Sequence, residues 1–190
     1  MRRLKTSVMV LAFAFAALAA CVTSARHDEQ IAESDSAVFD AAIEQFVATM
    51  DTADVCVVRN SYPDGRPFVN LQRPALHKAF TDLTQGDSNA FARANAASVP
   101  LPSLAKEVIL IEESFVADES DLKTHWSRIR DRCGGGGYWW FSMPGFITER
   151  VAVIYVENLR GPKDAQGVYL KLERSGTGWK VAGKKVVWFT

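Results

Sequence analysis

Apolar residues recur along this chain with two different periods. Between Ser34 and Met50 the period is helical: Val38, Phe39, Ala42, Ile43, Phe46, Val47 and Met50 fall on one face, and Ser34, Asp35 or Ser36 can cap the start. Val55, Cys56, Val57 and Val58 form an unbroken apolar run, as expected of a short interior strand with both faces covered. The irregular stretch from Asn60 to Pro74 holds a Pro63-Asp64-Gly65 turn. Leu76, Phe80 and Leu83 predict a short helix over 75–83, with Pro74 at its first turn. An Ala-rich helix over 89–97 follows, capped by Asp87 or Ser88 and ended by Pro100 and Pro102. Residues 107–116 read as a strand with charged ends. Residues 118–130 read as a helix with Leu122, Trp126 and Ile129 as its apolar stripe. Acids lie at its start and Arg128, Arg130 and Arg132 at its end, as the helix dipole favours. Cys133 and the glycines Gly134 to Gly137 end that helix; four glycines in a row stay mobile unless something packs on them.

From Tyr138 the period changes to that of strands. Tyr138, Trp139, Trp140 and Phe141 form an aromatic run, and Ser142 to Phe146 turn the chain. Val151 to Val156 is apolar on both faces, which predicts a central strand. A long hairpin loop over 158–166 leads to residues 167–174, where Val168, Leu170 and Leu172 alternate with Tyr169, Lys171 and Glu173. A tight turn over 175–178 precedes the last strand, in which Gly183 marks a bulge. The expected fold class is α+β: N-terminal helices packed on a curved antiparallel sheet that ends in a three-stranded C-terminal meander.

The first twenty residues change how the rest is read. Arg2, Arg3 and Lys5 precede an apolar run that ends Leu18-Ala19-Ala20-Cys21. This arrangement resembles the signal peptide and lipobox of bacterial lipoproteins. The resemblance implies cleavage before Cys21, lipidation of that cysteine and attachment to a membrane. Val22 in the next position implies the outer membrane of a Gram-negative cell, facing the periplasm. The expected organisation is a signal peptide over 1–20, a flexible tether over 21–34 and a single α+β domain over 35–190. The 190 residues balance 22 basic against 22 acidic side chains. Loss of the leader turns that balance slightly acidic, and no basic block marks a nucleic-acid surface. Cys56 and Cys133 remain in an oxidising compartment, where they are candidates for a disulfide. The sequence equally allows a buried Cys56 and a free Cys133.

The C-terminal block is similar to a signature found in a broad group of uncharacterised bacterial secreted proteins and lipoproteins. Its matches are Trp126, Phe141, Ser142, Gly145, Phe146, Ala152, Tyr155, Val156, Gly167, Tyr169, Leu172, Gly178, Trp179, Lys180, Val181 and Trp188. Many relatives carry a cysteine pair in the loop before the glycine; residues 161–166 contain none here. The meander also looks like the sheets of cystatin-like or NTF2-like domains, an analogy of fold alone.

Candidate chemistry is sparse. His27, His77 and His125 have no partners at metal-ligand spacing, so no metal and no cofactor is expected. Ser142 lacks the strand–turn–helix setting of a nucleophile elbow. Glu112-Glu113 and Asp118-Glu119 are adjacent acids, not dyads, because strand neighbours face opposite ways. The glycine run has no Lys-Ser/Thr after it and is not a phosphate loop. Trp139, Trp140, Phe146 and Tyr62 are the candidate ligand surface, since aromatic side chains commonly anchor ligands. The expected function is a non-catalytic binding or structural module of the envelope, with an unidentified envelope protein or ligand as partner. The alternatives are a periplasmic inhibitor or immunity-type protein, and a hydrolase using Ser142 or the acids at 112–119.

Overall fold

Both sequence periods resolve into one mixed sheet with a layer on each face. A computed structural model describes residues 35–45, 55–63, 75–105, 107–117, 122–176 and 178–190. Cys21, the leader, the tether, Phe46, Val47, Met50, the Pro63-Asp64-Gly65 turn beyond Pro63, Pro74 and Asp118 to Asp121 lie outside these residues. Residues 36–190 form one compact unit.

The strands are β1 (Cys56–Val58), β2 (Ile109–Ile111), β3 (Tyr138–Phe141), β4 (Gly145–Thr148), β5 (Val151–Gly161), β6 (Asp164–Ser175) and β7 (Gly178–Phe189). Their order is β2-β1-β3-β5-β6-β7, with β4 beside β5. β5, β6 and β7 make the antiparallel meander. The sheet is not antiparallel throughout: β1 runs parallel to both β2 and β3. The helices are α1 over 35–45, α2 (Leu76–Ala79), α3 (Gln85–Ala94), α4 (Glu113–Ala117) and α5 (Leu122–Cys133).

The unbroken apolar runs follow from coverage on both faces. Successive strand residues point opposite ways, so each run divides. Val55, Val57, Trp139, Phe141, Ile154 and Leu170 pack with Val38, Phe39, Ala42 and Ile43 of α1. Cys56, Val58, Tyr138, Trp140, Tyr155 and Tyr169 pack on the other face with Leu76, Phe91, Val116, Trp126 and Ile129 from α2 to α5.

Several boundaries differ from expectation. The strand expected over 107–116 stops at Ile111 and turns into α4, which buries Val116 in the second core. The helix expected over 89–97 starts at Gln85. Thr84 caps it by accepting from Asp87 N, and the Asp87 carboxylate accepts in return from Thr84 N, a reciprocal box that outcompetes Asp87 or Ser88 as cap. The helix over 75–83 shrinks to a single turn. The long loop over 158–166 closes to a tight connection, because β5 and β6 stay paired through Asn158 with Gln166, Leu159 with Ala165 and Gly161 with Asp164; on its other side Asn158 donates to Gly136 O and Tyr138 O. The sequence reading missed β4 altogether. Only the second half of the glycine run is packed: Gly136 is buried, and at Gly137, with φ 67°, a Cβ would meet Leu159 O at 2.0 Å, whereas one on Gly134 or Gly135 would meet nothing within 4 Å. At Gly183 the register does shift, and a second shift lies between Gly167 and Val168.

Candidate functional site

The four candidate surface residues do not form a surface. Trp139 and Trp140 are each 3 % exposed and Tyr62 is 1 % exposed. The two tryptophans enter opposite cores, because β3 lies inside the sheet with layers on both sides. Trp140 donates through Nε1 to Asn60 O at 2.8 Å and meets Tyr62 edge-on at 5.2 Å. Phe146 alone of the four is exposed, at 37 %, and it rests against Trp179 at 5.9 Å.

Ser142 is fully buried. Its hydroxyl accepts from Tyr155 N at 2.8 Å and donates to Met143 O at 3.0 Å, so it completes the ladder at a kink between β3 and β4. Asn95 clamps the same kink, accepting from Met143 N at 2.6 Å and donating to Met143 O at 3.1 Å. Glu112 pairs with Arg59 at 2.6 Å. His77 shares a contact with Ser88 Oγ at 2.9 Å, and His125 is buried edge-on against Trp126. Among the described residues no three His, Cys, Asp or Glu side chains converge as a metal site would require.

The aromatic face is organised by hydrogen bonds as well as by burial. Trp188 Nε1 on β7 donates to Tyr155 Oη on β5 at 2.7 Å, and that hydroxyl donates to Glu157 Oε1 at 2.7 Å. The first bond passes over β6 at Gly167. A Cβ at Gly167 would lie 2.1 Å from Trp188 Nε1 and 2.4 Å from Tyr155 Oη. The glycine, tyrosine and tryptophan of the C-terminal block therefore serve the architecture of the sheet.

Cys56 and Cys133 are bonded to one another, with both residues fully buried. The bond ties the last turn of α5 to β1, and β1 carries β2 as its outer neighbour. At that outer edge lies a hollow of about 360 Å³ lined by Leu110, Ile111, Glu112, Ser114, Phe115 and Arg132. Ile109 N donates to Val55 O at 2.8 Å and Ile111 O accepts from Arg59 N at 2.9 Å. Because backbone groups alternate sides along a strand, the N–H and C=O of Leu110 point away from β1. Leu110 is 37 % exposed. Arg128 sits 5.4 Å over the Phe115 ring and donates to Phe115 O at 3.3 Å, which fixes that ring at the rim. Arg132 is exposed and has no ion-pair partner among the described residues.

The opposite edge is built differently. β7 exposes Lys180, Lys184 and Lys185 and carries two register shifts against β6, both devices that discourage further strand pairing. The hollow was invisible in the sequence, because residues 112–116 read as strand and Arg132 as a helix-end cation. The signal that could have found it is Glu112-Glu113-Ser114, a polar interruption where a strand ends and a new helix begins.

Comparison with protein-family models, curated proteins and solved structures finds no match to this chain.

Proposed function

We propose that the protein is a membrane-anchored lipoprotein of the periplasm, held in the outer membrane through Cys21, and that it works there as a non-catalytic binding module. Two features support the location. The run Leu18-Ala19-Ala20-Cys21 has the form of a lipobox, and the Cys56–Cys133 bond suits an oxidising compartment. One observation carries the binding role: the β2 edge combines an open backbone position at Leu110 with a preformed hollow bounded by Phe115 and Arg132. Its volume falls in the usual range of ligand sites, roughly 300–1,000 Å³.

The test is site-specific photocrosslinking in intact Gram-negative cells, with Cys21 present. A crosslinker at Leu110 should give discrete adducts, and one at Lys185 should give none. Equal patterns from both edges, or no adduct at Leu110, would overturn the binding role. The anchor is tested separately by mass spectrometry of the mature N-terminus. Acyl chains on Cys21 are expected, with release into the soluble fraction on Cys21→Ser; an unmodified Cys21 would overturn it.

A further inference from the structure

We propose that the β2 edge takes up an extended peptide segment as an added strand, and that Arg132 holds a carboxylate of that segment. This deepens the binding role above and rests on it. An added strand needs a free main-chain donor and acceptor at the edge, and side-chain space beside them. Leu110 offers the donor and acceptor, since Ile109 and Ile111 spend theirs on β1. Phe115 and Leu110 offer the apolar contact.

Charge selects the occupant. Glu112 in the hollow is neutralised by Arg59 at 2.6 Å, which leaves the Arg132 guanidinium as the uncompensated charge of the lining. A guanidinium binds a carboxylate with two parallel hydrogen bonds, so it prefers that group to an amide or a hydroxyl. A second copy of this chain is a poorer occupant. Two β2 edges joined antiparallel about Leu110 would bring both Arg132 side chains to one face of the joint, where like charges oppose association. The disulfide ties the end of α5, which carries Arg132, to the strand beside β2. A three-residue edge makes few main-chain bonds, so binding is weak and depends on the carboxylate.

The carboxylate can come from an acidic side chain or from a C-terminus, and three probes separate the two. Fluorescently labelled Thr-Val-Thr-Val-Glu-amide, Thr-Val-Thr-Val-Gln-amide and Thr-Val-Thr-Val-Gln with a free C-terminus are titrated into the full-length protein in detergent micelles and followed by anisotropy. At least one carboxylate-bearing peptide should bind roughly tenfold or more tightly than the Gln-amide peptide, a ratio matching one charge-assisted pair. R132E should erase that preference. Leu110→Pro removes the outward N–H while leaving the bonds of Ile109 and Ile111 to β1, and should reduce binding at least tenfold. N-methylation of alternate peptide bonds should do the same on the unaltered protein, so the test does not depend on the proline variant folding. Equal affinity for all three peptides, or binding that survives both N-methylation and R132E, would overturn the proposal. So would concentration-dependent dimerisation lost on Leu110→Pro without any peptide binding. Adducts at Leu110 in cells without binding of any peptide would leave the binding role standing and dispose of strand addition.

Discussion

The two faces of the sheet solve the same burial problem by different means. The face under α1 is aliphatic in the main, with Ile154, Val156, Val168, Leu170 and Leu172 at its centre. The opposite face is aromatic and polar. Tyr62, Tyr155 and Tyr169 meet at 5.2–5.8 Å, and the Trp188–Tyr155–Glu157 chain runs through them. Dispersion and area burial are non-directional, so the first face requires volume to be filled. Rings and hydroxyls require particular positions, so the second face requires geometry. The disulfide and the β2 hollow belong to the second face.

This contrast can be broken in graded ways. Replacing Cys56 and Cys133 together by serine should cost the most, about 2–5 kcal/mol, by releasing α5 from β1. The thermal midpoint would fall by roughly 2–4 °C for each kcal/mol. A midpoint indifferent to the double replacement would mean that packing alone holds α5. Gly167→Ala should come next, at roughly 2–4 kcal/mol, because one methyl displaces the Trp188–Tyr155 bond. Urea unfolding measures it, and a cost under about 1 kcal/mol would show that the bond is dispensable. Tyr155→Phe removes the hydroxyl that Trp188 and Glu157 share and should cost about 1–3 kcal/mol. On the aliphatic face, Leu170→Met conserves volume and should cost less than about 1.5 kcal/mol. If Leu170→Met proved the more damaging of that pair, the distinction between the faces would fail.

The smallest effect is electrostatic. The Lys171 ammonium donates to Asp82 and holds its carboxyl below the usual range, and the Thr84 N–H does the same for Asp87. A lowered carboxyl stabilises the fold above its ordinary value of 3.8, and that contribution is lost as pH falls through the folded value. Lys171 is raised above 10.5 in turn, so its share is lost only in strong alkali. Asp82 is exposed, so Asp82→Asn should flatten the acid limb of a midpoint-against-pH curve only slightly. A large change would mean that this surface pair bears more weight than its exposure allows.

Much of the fold is legible in the sequence. The unbroken runs at 55–58 and 151–156 signalled strands covered on both sides, and the alternation over 167–174 placed Val168, Leu170 and Leu172 together. The helical stripe of Val38, Phe39, Ala42 and Ile43 was equally plain. Local patterns carry such information because each residue's face is set by the period of its own segment. The candidate site was not readable. Trp139 and Trp140 looked like ligand anchors because aromatic character does not distinguish a groove from a core.

What the sequence determined by itself is therefore most of the elements, β4 and α4 excepted, the C-terminal meander and the paired apolar faces, all consequences of short-range periodicity. Tertiary structure alone decided the parallel placement of β1, the meeting of Cys56 with Cys133, the need for Gly167 beneath the Trp188–Tyr155 bond, and the open edge at Leu110. These depend on which distant segments become neighbours, and that choice is made by the whole chain burying its apolar surface at once.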